Sequence, residues 1–107
     1  MKYNVIFDPK AKLDLKEIFL YVAMKDDLSS ANKLLNEIEK ACYNLEEYPK
    51  RGHIPFELLS TGIKRYLEVH FKQYRIIYEI YQDTVYVHFV LDGRRNIQEI
   101  LSDRLLR

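Results

Sequence analysis

Apolar and polar residues change rhythm several times along this chain, and each change marks an element. Residues 2–7, KYNVIF, alternate and are rich in β-branched and aromatic types, which predicts a strand. From Pro9 the period lengthens. Ala11, Leu15, Ile18, Phe19 and Val22 recur at helical spacing and predict an amphipathic helix to about Met24. Asp8 stands where an N-cap belongs, and Pro9 stands at the first helical position, where a missing N–H costs nothing. After a break at residues 25–27, with Asp27 as the next cap, Leu28, Ala31, Leu34, Leu35, Ile38, Ala41, Leu45 and Tyr48 step by three and four. They predict a second long helix that ends before Pro49 and folds back on the first as an antiparallel hairpin.

Residues 48–62, YPKRGHIPFELLSTG, carry Pro49, Gly52, Pro55 and Gly62 and predict a loop. Strict alternation then predicts three strands, about 64–71, 73–81 and 84–91, with a tight turn at Gln82-Asp83. One parity holds Leu67, Val69, Phe71, Ile76, Tyr78, Ile80, Val85, Val87, Phe89 and Leu91. The other holds Tyr66, Glu68, His70, Arg75, Ile77, Glu79, Tyr81, Tyr86 and His88. The expectation is a sheet whose apolar face is covered by the helical hairpin and whose polar face stays open as a concave floor. At the C-terminal end Asn96 precedes Ile97-Gln98-Glu99 as in a capping box, and Ile97, Ile100, Leu101 and Leu105 form the apolar stripe of a short helix. The order is that of one α+β domain over residues 1–107: strand, helical hairpin, three-stranded antiparallel meander completing the sheet, terminal helix.

Bulk properties change this picture little. Apolar residues at 48% and charged residues at 31% describe a folded chain, and a net charge of +1 gives no argument for nucleic acid or membrane. Residues 1–61 carry 9 Lys/Arg against 10 Asp/Glu and residues 62–107 carry 8 against 6, so the second half is the more anion-facing one. Cys42 is the single cysteine, which excludes an internal disulfide and a cysteine-based zinc set. It is expected to be a half-buried thiol in a reducing cytosol. No metal or cofactor is expected. No long apolar run is present, so neither a signal peptide nor a membrane span is expected and the setting is read as cytoplasmic.

The candidate chemistry collects around the last strand and its exit. Arg94 and Arg95 lie directly before a helix N-terminus, where free N–H groups and the positive dipole end favour anions. Lys64, Arg65 and Lys72 can add charge to such an anion-binding site, although basic residues also guard strand edges. The plainer alternative is that the arginines are solvated or pair with Asp92 and Asp103. His70 and His88 lie on the polar parity as possible acid/base groups, and His53 reads as loop surface. On the first helix Leu13, Leu20 and Met24 form a second apolar seam off the main stripe, either buried with it or left for a partner helix.

The element order, with AKLDLKEIFLYVA in the first helix, YPKRGHIPFELLSTGIKRY through the loop, YRIIYEI in the middle strand and VLDGRRN leading into ILSDRLL, resembles the RelE/ParE superfamily of bacterial toxins. The resemblance covers nearly the whole chain. It implies a small cytoplasmic toxin of a type II toxin–antitoxin system, of the kind linked to plasmid stabilization, without cofactor. A cognate antitoxin would wrap it with an extended or helical segment, for which Leu13, Leu20 and Met24 are the candidate seam. RelE-like members are ribosome-dependent mRNA interferases; ParE-like members poison DNA gyrase and are not nucleases. On the nuclease pattern Arg75 matches the mid-strand arginine and Arg95 the arginine after the last strand, while His70 and His88 on the polar parity are the substitute acid/base candidates. The family's nucleases carry an acid/base residue near the C-terminus, and here position 101 is leucine. That departure favours the ParE-like side, a gyrase inhibitor, over the alternative of an endoribonuclease acting on ribosome and mRNA.

Overall fold

The computed structural model describes residues 2–105. The chain runs β1 (Asn4–Phe7), α1 (Pro9–Lys25), α2 (Leu28–Tyr43), three short 3₁₀ turns (Asn44–Glu46, Pro49–Arg51, Phe56–Leu58), β2 (Tyr66–Phe71), β3 (Tyr74–Tyr81), β4 (Thr84–Asp92) and α3 (Ile97–Leu105). The four strands form one sheet in the order β1-β4-β3-β2, with β1 parallel to β4 and the other pairs antiparallel. The α+β architecture is the expected one. Both helix caps are as expected too: Asp8 accepts from the Ala11 N–H at 2.8 Å and Asp27 from the Ser30 N–H at 2.7 Å.

The second helix is shorter than its periodicity predicts. It stops at Tyr43 and passes through a 3₁₀ turn before Glu47 becomes extended and Tyr48 left-handed at φ 55°. Two things end it. Proline at 49 disfavours helical backbone at Tyr48, and the Glu46 carbonyl is taken by the Tyr3 N–H at 2.8 Å. Leu45 keeps its place in the core.

The hairpin α1–α2 covers one face of the sheet, as predicted. Ala11 and Leu15 of α1 and Ile38 and Cys42 of α2 pack with Tyr74, Ile76, Tyr78, Val85, Val87 and Val90. Burial pushes the Cys42 thiol up to about 12, so it is an inert core group.

The strand parity fails at one point, with large consequences. Ile77 pairs with Phe89 but Tyr78 pairs with Val87, so His88 is an extra residue, a β-bulge. Beyond it the alternation of β4 inverts. Val90 joins the helical side, and Phe89 and Leu91 turn to the opposite face. The face expected to be polar and open is therefore partly apolar and partly covered. Phe89 and Leu91 pack with Tyr66, Ile77, Leu58, Ile97 and Leu101, and the residue 54–63 loop and α3 close over them.

One carboxylate ties these layers together. Past Val87, β4 has lost its β1 neighbour, and the Val90 N–H donates instead to Asp14 of α1 at 3.0 Å. Arg104 of α3 pairs with both oxygens of the same carboxylate. Asp14 is only 3% exposed. Replacing it by Ala strips partners from a buried N–H and a half-buried guanidinium, and should cost about 2–4 kcal/mol. Thermal denaturation of Asp14→Ala should show a melting temperature lower by roughly ten degrees or more. Asp14→Asn, which still accepts from Val90, should lose about half as much.

Candidate functional site

The second face carries the charged groups that the sequence singles out. Arg75 sits on the central strand β3, opposite Leu91 on one side and His70 on the other. With Phe56 and Glu57 of the residue 54–63 loop beside it, it is 8% exposed. A guanidinium cannot be buried without partners, and it has two. Its Nη1 and Nη2 donate to Glu57 Oε2 and Oε1 at 2.6 and 2.7 Å, and its Nε donates to Glu68 Oε1 at 2.6 Å. The Phe56 ring lies 5.4 Å from the guanidinium. The hydrogen bonds from Arg75 hold the Glu57 carboxyl below its usual range, and Glu57 and Glu68 push the guanidinium up. A phosphate could reach Arg75 only by displacing a carboxylate.

The other oxygen of Glu68 faces two histidines. His70 Nε2 lies 2.8 Å from Glu68 Oε2, and His53 Nε2 lies 3.4 Å from it. His53 is set there by the backbone. It forms a bridge to Glu68 on the outer edge of β2, with His53 N–H to Glu68 O at 3.1 Å and Glu68 N–H to His53 O at 2.7 Å. Gly52 permits this approach, since a Cβ there would lie 2.8 Å from Glu68 O and 2.4 Å from the Tyr78 hydroxyl. His70 is thus carboxylate-bound but exposed. His53, read from sequence as plain loop surface, belongs to the same cluster. His88 belongs to another: its Nδ1 meets Asp8 Oδ2 at 2.5 Å and its Nε2 meets Glu79 Oε1 at 3.1 Å.

The five basic residues expected to bind an anion do not form one site. Lys64 and Arg65 precede β2, whereas Lys72, Arg94 and Arg95 lie at turns beyond its other end, where the Gly93 N–H donates to Gln73 O at 2.7 Å. Six residues of strand separate the groups by about 20 Å. Arg65 stacks on Tyr66 and Lys72 reaches Glu37 on α2 at 3.2 Å. Arg94 is bound by its own turn, with Nε to Asp92 Oδ1 at 3.0 Å and Nη2 to Asp92 Oδ2 at 2.6 Å. This pairing lowers the Asp92 carboxyl. Arg95 is exposed, and its guanidinium has no hydrogen-bond acceptor among the described residues. The helix start behind it is already capped, because Asn96 Oδ1 accepts from the Glu99 N–H at 3.1 Å and Asn96 Nδ2 donates to Glu99 Oε2 at 3.2 Å. Leu101, where the nuclease pattern would place an acid/base, is buried in the second apolar cluster.

The outer side of α1 is the other feature of note. Leu13, Leu20 and Met24 are 57%, 46% and 87% exposed. At about 100° per residue they form one stripe roughly opposite Ala11, Leu15 and Ile18. Tyr21 beside them is exposed as well.

Neither Glu57 nor Glu68 was singled out by sequence, yet both decide what Arg75 can do. Glu68 was legible as the residue two before His70 on one strand face; Glu57 lies in an irregular loop and gave no periodic signal. Breaking this clamp should destabilise the fold. Arg75→Ala leaves two carboxylates without their cation and should cost about 3–5 kcal/mol, read as a lower melting temperature with the second face opened. The pH dependence has a defined sign. Because Glu57 is depressed below its ordinary value of 4.5, its contribution is present at neutral pH and is lost as pH falls below 4.5 through the folded value. Acid titration of stability should show that loss in the native chain and a smaller one in Glu57→Gln.

Residues 5–97 match the family described as the ParE toxin of the type II toxin–antitoxin system parDE. No curated protein matches the chain significantly. Solved structures that share its fold include two from toxin–antitoxin systems. A chromosomal ParDE toxin–antitoxin system from P. aeruginosa is 11% identical, with a TM-score of 0.70, over 83% of this chain and 94% of the other. The toxin–antitoxin complex RelBE2 from Mycobacterium tuberculosis is 20% identical, with a TM-score of 0.63, over 86% of this chain and 92% of the other. With the family pattern spanning most of its length and the fold in agreement, this chain belongs to the ParE toxin family of type II toxin–antitoxin systems.

Proposed function

We propose that this toxin is neutralised by a cognate antitoxin seated on α1 and arrests growth by acting on DNA gyrase rather than by cutting RNA. The observation that carries the second half is Arg75. The residue a nuclease would aim at a phosphate is buried and gripped by Glu57 and Glu68. Metal-free RNA cleavage also needs a base for the 2′-hydroxyl and an acid for the leaving oxygen. Leu101, at the acid/base position of the nuclease pattern, is apolar and buried, and the substitute histidines are engaged, His70 by Glu68 and His88 by Asp8 and Glu79. No helix among the described residues is long and apolar enough to cross a membrane.

Support for the antitoxin comes from α1. Three large apolar side chains on one line, facing away from the core, form more than the scattered apolar exposure of an ordinary surface. A partner helix presenting its own apolar face at the same spacing fits them. Both structural neighbours come from toxin–antitoxin systems, one of them crystallised as the complex.

Two experiments test this reading. The purified chain at micromolar concentration should inhibit DNA supercoiling by gyrase or trap cleaved DNA, and Arg95→Ala should weaken that effect with an unchanged melting temperature. Codon-phased cuts in ribosome-bound messages, with gyrase unaffected, would replace it by the RelE-like reading. Leu13→Asp and Met24→Asp should each weaken antitoxin binding by about tenfold or more. Their stability should stay near that of the native chain, because both side chains are more than half exposed.

A further inference from the structure

The Glu68 cluster has a geometry that ion pairing alone does not use. The ligand atoms of His53, Glu68 and His70 all lie within 4.8 Å of one another. We propose that these three side chains form a site for a divalent transition-metal ion of the zinc class, independent of which target the toxin has.

The ligand spacing is the first argument. A tetrahedral zinc ion with bonds of about 2.0–2.1 Å to nitrogen and oxygen holds its ligand atoms about 3.3 Å apart. The two histidine Nε2 atoms lie 2.8 and 3.4 Å from Glu68 Oε2, and all three ligand atoms lie within 4.8 Å of one another, so an ion seats among them once the exposed histidine side chains close in. Imidazole and carboxylate are also the donors that this class of ion prefers.

The second argument is that the backbone fixes the set. His53 and Glu68 are bridged by two main-chain hydrogen bonds, and His70 follows Glu68 by two residues on the same strand face. No loop has to close to bring the donors together. Gly52, pressed against Glu68, keeps His53 at this edge.

Charge is the third. Glu57 and Glu68 carry two negative charges against one positive charge on Arg75, with the Glu68 side chain only 2% exposed. One negative charge is left over on the oxygen that faces the histidines. A divalent ion ligated by two neutral imidazoles offsets it and leaves the cluster with one positive charge. Arg75, bonded to Glu68 Oε1, turns Oε2 outward, as hydrogen-bonded partners commonly orient metal-bound carboxylates. The histidine side chains are 63% and 56% exposed, so the ion can enter from solvent and keep water on its remaining position. The other histidine cluster lacks this geometry, since both ring nitrogens of His88 are already engaged by carboxylates.

An ion here would clamp the loop after α2 to the edge of β2. The test is calorimetric titration of the full chain, free of any histidine tag, with Zn²⁺ in a non-coordinating buffer, alongside His53→Gln and His70→Gln. Glutamine keeps a donor for Glu68 while removing the ring nitrogen, and both positions are exposed, so the variants should fold; circular dichroism checks this. The native chain should bind one equivalent at micromolar affinity or better, with a rise in melting temperature. Each variant should lose at least about tenfold in affinity. Absence of saturable binding to the native chain overturns the proposal, as does a loss below tenfold in either folded variant.

Discussion

The single extra residue at His88 decides how both faces of the sheet are used. In an unbroken strand Phe89 and Leu91 would continue the row of Val85 and Val87 against the helices. The bulge places them beside Ile77 and Tyr66 instead, and so creates an apolar seat where a polar floor was expected. That seat is what α3 and the residue 54–63 loop pack on, with Leu58, Ile97 and Leu101 as the matching surface. Burying each such side chain contributes about 1.5–3 kcal/mol, well above the loss of one ladder position. The bulge is held on both sides, because the His88 ring spans Asp8 at the start of α1 and Glu79 on β3.

Closing the second face sets the electrostatics beneath it. Arg75 becomes a buried cation, tolerable only with close, geometrically matched carboxylates. Glu57 and Glu68 supply them and leave an excess of one negative charge. The interior of this face is therefore cation-seeking, the opposite of a phosphate cradle. The cations still facing solvent lie at the rim and at both ends of β2, where some are already spoken for by Asp92, Glu37 and Tyr66. Two arginines that look alike in sequence have different standing: the Arg94 side chain is tied to Asp92 of its own turn, whereas Arg95 joins that turn through its backbone N–H and keeps its side chain exposed.

Periodicity made the elements legible. Local chemistry made the caps at Asp8, Asp27 and Asn96 legible, because a capping side chain bonds within three residues. The terminus of α2 was not, since it depends on Tyr3 reaching Glu46 across the fold. The bulge was not either: Val87, Phe89, Val90 and Leu91 are all apolar, so no break in the pattern reports which of them changes face. Arg75 stood out as a charged residue within an apolar strand, but its partners come from 7 and 18 residues away. One of these lies in a loop with no repeat to index it, as does His53. The chemistry of a side chain was readable, whereas the company it keeps was set by tertiary contacts.

Helix α1 carries core contacts on one side and exposed apolar residues on the other. Ala11, Asp14, Leu15 and Ile18 face inward and join the helix to β4 and α3. A helix that only served the core would present polar residues on its far side, yet Leu13, Leu20 and Met24 lie there. Such a surface favours a bound state over a free one, because water gains when the stripe is covered. Tyr21, next to that stripe, lines a cleft with Tyr74, Arg94 and Arg95. A partner covering the end of the stripe at Leu20 and Met24 would therefore lie beside Arg95, whose guanidinium has no acceptor among the described residues. On the proposed reading, one partner helix on α1 would cover the stripe and shield Arg95 together.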